Sequence, residues 1–116
     1  MSHFNPQHKA VLDDLLLNHP FVRGGKMFGY PAYYVGQKLC ISLYEEGAGI
    51  KLPEEAANRL LQSDPHVTPF QPMGKSRMRE WVQITLEHSE DYRRYLPVFE
   101  EAIAYLLAQQ GITAQP

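Results

Sequence analysis

Apolar residues recur at helical spacing near the start of the chain, where Val11, Leu12, Leu15 and Leu16 fall on one stripe, the pattern of an amphipathic helix. Asn5 can cap it, and Pro6 suits its first turn, where a missing N–H breaks no internal bond. Asn18-His19-Pro20 stops it, because the residue before a proline avoids helical backbone.

From Gly24 to Leu52 the pattern changes to short strands and tight turns. Lys26 to Tyr30 and Ala32 to Val35 are aromatic-rich runs punctuated by Gly29 and Pro31, so Phe28 and Tyr30 are expected to share a strand face while Tyr33 and Tyr34 point opposite ways. Gly36-Gln37 predicts a hairpin turn into the run from Lys38 to Tyr44. There Leu39, Ile41 and Leu43 alternate with Lys38, Cys40 and Ser42, which predicts one buried face with Cys40 opposite it. Glu45 to Gly49 reads as a turn, and Ile50 to Leu52 as a short strand. Pro53-Glu54-Glu55 opens a second helix whose inner face is Ala56, Ala57, Leu60 and Leu61.

Pro65, Pro69, Pro72 and Gly74 argue against a central strand in the next stretch, leaving an edge strand at Val67 to Phe70 and an irregular loop. Trp81 to Leu86 alternates cleanly, with Val82, Ile84 and Leu86 on one side. A last helix is expected from Ser89, carrying the stripe Tyr92, Tyr95, Leu96, Phe99, Ile103 and Leu106 and ending at Gly111. Pro97 costs ~3 kcal/mol inside a helix, so a kink or a restart is expected there. Helix, strands, helix, two strands, helix, with short connections between strands, predicts an α+β domain. It would have one antiparallel sheet of five to six strands and the N-terminal, middle and C-terminal helices on one face.

Composition adds limits. The 116 residues suit a single domain over 1–116, with 44% apolar and 21% charged residues and a formal net charge of −2. No overall field draws the chain to nucleic acid or anionic membrane. One cysteine, Cys40, rules out an internal disulfide and fits a reducing, cytoplasmic setting. The N-terminus lacks the layout of a secretory signal, and no apolar run approaches the roughly 20 residues that span a bilayer.

The run from Lys26 through Met27-Phe28-Gly29-Tyr30-Pro31-Ala32-Tyr33-Tyr34-Val35-Gly36-Gln37 to Lys38 resembles the signature of the N-terminal domain of TfoX/Sxy-type proteins. Ile50-Lys51-Leu52-Pro53, Pro69-Phe70 through Met73-Gly74-Lys75, and Trp81-Val82 resemble later elements of that family, from about Phe21 to Leu107 in all. The resemblance implies the YjbR/CyaY-like α+β fold and a regulatory, non-enzymatic role. DNA binding has been proposed for the YjbR branch. Iron binding of the CyaY kind would need an acidic first helix, and Asp13 and Asp14 alone do not supply one.

The charge distribution suggests where a partner would dock. Arg23, Lys26 and Lys38 lie in an acid-free stretch from Pro20 to Tyr44, and Lys75, Arg77 and Arg79 in a stretch with one acid, Glu80. If both converge on one surface, these six cations could hold phosphates while Tyr30 and Tyr34 offer rings for stacking. The partner classes left open are a protein, a nucleic acid and, through the sheet edge or the aromatic patch, a second copy. The alternative is a small-ligand or anion-binding domain using the hairpin aromatics and the loop from Lys75 to Arg79. Catalytic residues, metal ligands and cofactors are not expected. His3, His8, His19, His66 and His88 form no ligand spacing, no serine sits in a Gly-x-Ser-x-Gly turn, and no histidine is placed in sequence to activate Cys40.

Overall fold

A computed structural model describes residues 3–74 and 78–112. In chain order these form α1 (Pro6–Leu16), β1 (Val22–Met27), β2 (Tyr30–Val35), β3 (Lys38–Tyr44), β4 (Gly47–Lys51), α2 (Glu54–Ser63), β5 (Val67–Pro69), β6 (Trp81–Thr85), a 3-10 turn over Ser89–Tyr95 and α3 (Leu96–Gln109). The strands make one fully antiparallel sheet in the order β1-β2-β3-β4-β6-β5. The α+β expectation holds: one sheet of six strands with three helices.

The helix starts follow the sequence. Asn5 caps α1, its Oδ1 accepting from the backbone N–H of Gln7 at 2.8 Å and of His8 at 3.3 Å. The conflict at Pro97 is resolved by a restart. The 3-10 turn ends at Tyr95, and Pro97 falls in the first turn of α3, where it displaces no helical hydrogen bond. Ser89 spends its hydroxyl elsewhere than on a cap, at 2.6 Å from Nδ1 of His8.

One hydrophobic cluster joins Val11, Leu12 and Leu16 of α1, Ala56 and Ala57 of α2, and Phe99, Ala102, Ile103, Leu106 and Leu107 of α3 to the inward side chains of the sheet. Tyrosines tie the layers together. Tyr33 Oη donates to Asp13 Oδ1 at 2.6 Å, Tyr92 Oη to the Ile84 carbonyl at 2.9 Å, and Tyr105 Oη to Glu80 Oε2 at 2.6 Å.

Three expectations need correcting. Gly47, Ala48 and Gly49 are not a turn but the body of β4, a strand paired on both sides. The glycines are there because neighbours lie on them: a side chain at Gly49 would meet the Phe70 ring, and one at Gly47 would meet Thr85 and Gln83. Phe28 leaves the strand and forms the β1–β2 turn with Gly29, the two residues at φ 52° and 85°. In the third strand the alternation slips. Tyr33 pairs with Ile41 but Tyr34 with Leu39, so Cys40 is an extra residue, a bulge. It joins the core cluster, whereas Leu39 lines the opposite face.

His8 gives the fold a pH dependence. The ring is 1% exposed, stands edge-on to Tyr92 with centroids 4.8 Å apart, and keeps Nε2 buried without a hydrogen-bond partner among the described residues. Burial pulls its pKa below the ordinary 6.5, against a weaker opposite pull from the backbone at Glu46 and Leu86. The folded chain thus binds fewer protons than the unfolded chain on the acid side of pH 6.5, and stability must fall as pH drops through that window. Tm measured from pH 7 down to about pH 5 should decline more steeply for the native chain than for His8→Asn. Parallel curves would show that His8 does not set this slope.

Candidate functional site: an aromatic cleft on the open sheet face

The helices cover one face of the sheet, and the other carries a row of aromatic rings. Strand alternation puts Met27 of β1, Tyr30 of β2 and Trp81 of β6 on this open face, together with Ser42 and Tyr44 of β3. The Cys40 bulge adds Leu39, and the segment after β5 lays Phe70 and Pro72 over the middle of the sheet. Ring centroids step across it: Tyr30 to Tyr44 at 5.1 Å, Tyr44 to Phe70 at 5.7 Å, Phe70 to Trp81 at 5.7 Å. Such spacings are those of offset or edge-to-face pairs, worth about 0.5–1.5 kcal/mol each beyond burial.

Between these rings, Met27, Met78 and Phe28 lies a cleft of about 190 Å³. Its lining contains no charged side chain and one aliphatic hydroxyl, Ser42, which donates to the Leu43 carbonyl at 3.1 Å. Tyr30 is 8% exposed and its Oη donates to Glu45 Oε2 at 3.2 Å; burial first, and then the Glu45 carboxylate, hold the phenol above its ordinary pKa. Lys51 sits 5.9 Å from the Trp81 ring centroid, its charge met by Glu80 at 3.0 Å. Glu80, held first by the Tyr105 hydroxyl and then by Lys51, is kept below its usual carboxylate range.

Among the described residues Phe28 is the most exposed large apolar one, at 76%, and also one of two non-glycine residues in the left-handed region. A bulky side chain there costs on the order of 1–2 kcal/mol, and such residues gather at ligand clamps. A ring held at a strained hairpin tip beside an apolar cleft is placed to close over a bound molecule.

The described cations among those named from the sequence do not all share one face. Alternation along β1 turns Arg23 to the open face and Lys26 to the helix face. Arg23 lies 4.8 Å above the Tyr34 ring and reaches the Gly36 carbonyl at 3.4 Å, and Tyr34 Oη donates to the Lys26 carbonyl at 2.8 Å. Lys38 follows the Gly36-Gln37 turn, and Arg79 is exposed in the turn before β6. Among the described residues, Lys26, Lys38 and Arg79 have no carboxylate within ion-pair distance. Lys75 and Arg77 lie outside the described residues. Tyr30 belongs to the cleft; Tyr34 belongs to the β1 edge.

The thiol of Cys40 is buried in the core, and burial pushes its pKa up to about 12, so it carries no thiolate at neutral pH. Among the described residues no three His, Cys, Asp or Glu side chains gather as a metal set, and no helix is long and apolar enough to cross a membrane. The sequence offers the hairpin aromatics and the loop that holds Met78 as pocket walls but not Leu39, Tyr44, Phe70 and Trp81; the signal for Phe70 is the facing Gly49, whose bare backbone the ring needs. No family model, curated protein or solved structure matches the chain.

Proposed function

We propose that this chain is a non-enzymatic binding module of the TfoX N-terminal kind that takes a small, planar, uncharged aromatic group on the open face of its sheet. The family relationship rests on the Lys26-to-Lys38 motif and the elements after it. The binding role rests on one observation, the apolar cleft of about 190 Å³ between Tyr30, Tyr44, Phe70 and Trp81. Its size decides the ligand class. An apolar cavity of about 150 Å³ suffices for benzene, and drug-sized pockets begin near 300 Å³. A one- or two-ring arene fits between those limits. A charged ligand would lose its hydration with no counter-charge in the lining.

Trp81 is the chain's only tryptophan and lines the cleft, so occupancy is readable in its emission. Titration with naphthalene is expected to give a saturable change in Trp81 fluorescence, with Kd of about 100 µM for ten heavy atoms. A linear, unsaturable quench would be collisional and would sink the reading. Docking of a protein or nucleic acid through the basic side chains is the second reading, favoured by Lys26, Lys38 and Arg79, which meet no carboxylate at ion-pair distance among the described residues. Duplex binding that weakens steeply with salt would place the function there instead.

A further inference from the structure

The edge strand β1 borders a second, separate feature on the helix face. Its middle residues, Arg23 to Lys26, are all exposed, and it pairs only with β2. The two-residue turn at Phe28-Gly29 makes Met27 and Tyr30 a hydrogen-bonded pair. By alternation, Arg23 and Gly25 also bond to β2, while Gly24 and Lys26 aim their backbone groups outward. Pro31, which has no N–H, sits opposite Lys26, where none is needed. Tyr34 occupies the Lys26 carbonyl. Gly24 offers an N–H and a C=O, and Lys26 an N–H.

Beside this edge, between β1 and α1, runs a crevice of about 290 Å³ whose walls include Lys9, Leu17, Gly24, Lys26 and Tyr33. Leu17 is 44% exposed, one of only two large apolar residues so open among those described. Its side chain lies 3.4 Å from where a Cβ on Gly24 would stand, so the glycine leaves room beside an uncovered apolar group. The local charge is positive. Lys26 has no carboxylate within ion-pair distance among the described residues, and Asp13 is taken up by Lys9 at 2.7 Å and Tyr33 at 2.6 Å.

We infer that β1 is a docking edge for an extended acidic peptide, which adds as a strand and drops an apolar side chain into the crevice at Leu17 and Gly24. Strand addition takes affinity from main-chain hydrogen bonds and specificity from alternate side chains. A second copy of this chain fits less well. Two β1 strands pairing antiparallel about Gly24 bring their two Arg23 side chains to diagonal positions, and pairing about Gly25 does the same for the two Lys26. That separation is roughly 7–8 Å, and like charges across strands destabilise the pair. Glutamates on the incoming strand convert both repulsions into attractions.

The probe is a fluorescein-labelled hexapeptide alternating glutamate and valine, read by anisotropy, with amide shifts followed by NMR. Binding is expected with Kd of about 10–100 µM, with shifts at Gly24, Gly25 and Lys26 and none at Trp81. Lys26→Glu is expected to weaken it by at least about tenfold, the loss of one charge-assisted contact. Gly24→Pro, which removes an outward N–H without touching a β2 bond, is expected to do the same. The same peptide with N-methylated backbone, which needs no variant to fold, is expected not to bind. Equal binding of the N-methylated peptide would leave only charge attraction and overturn strand addition. Equal binding of a lysine–valine peptide, shifts confined to other residues, absence of binding at about 1 mM, or self-association in place of peptide binding would each overturn it too.

Discussion

Gly49→Ala is expected to lower Tm and abolish arene binding together, although alanine in a strand interior normally gains about 0.5–1 kcal/mol over glycine. The new Cβ would stand 2.6 Å from Cε2 and Cζ of Phe70. Phe70 can yield only into the cleft it lines: it is buried, with Tyr44 on one side and Trp81 on the other. Overpacking of this kind costs about 1–3 kcal/mol, roughly 4–12 °C for a chain of this size. The cleft fails for the same reason, since Phe70 is one of its walls. Phe70→Leu in the Gly49→Ala background should recover part of the stability, giving a non-additive double-mutant cycle with a coupling of about 0.5–3 kcal/mol. Calorimetry of the four proteins checks it; simple additivity would mean that the ring and the glycine are not in competition.

Phe28→Asn is expected to move stability and binding in opposite directions. Residues 28 and 29 both have positive φ, the requirement of a type I′ turn, for which Asn-Gly is the preferred pair. Asparagine tolerates the left-handed conformation that strains phenylalanine, so the variant should gain about 1 kcal/mol and some 4 °C in Tm. The same substitution removes the ring at the mouth of the cleft and should weaken naphthalene binding about tenfold, the worth of one aromatic contact. Calorimetry and the Trp81 titration on the same preparation read both effects. Unchanged affinity would remove Phe28 from the site.

Much of the fold was legible because its signals are local. The Asn5 cap, the Gly36-Gln37 turn, the alternation of β6 and the break at Pro97 each depend on residues adjacent in the chain. The misreadings arose where a distant residue decides local structure. Gly47-Ala48-Gly49 looks like a turn until Phe70, some twenty positions on, is seen to need its flat backbone. Phe28 reads as a strand residue because nothing in its own chemistry marks a left-handed turn. Of the candidate site, Tyr30 and the aromatic richness of the hairpin were visible, whereas its assembly with Phe70, Met78 and Trp81 depends on strand order. The clustering of charge along the chain carries no side information: the odd, three-residue spacing along β1 puts Arg23 and Lys26 on different faces.

The extra residue in β3 has a consequence for how the hairpin finds its partner. A regular ladder can slide by two positions and keep every side chain on its proper face. Here a slide in either direction moves Cys40 off its unpaired place: Leu39 would be driven inward, or a core residue out. The defect thus works as a registration mark, tolerating one alignment of β2 against β3 and rejecting its neighbours.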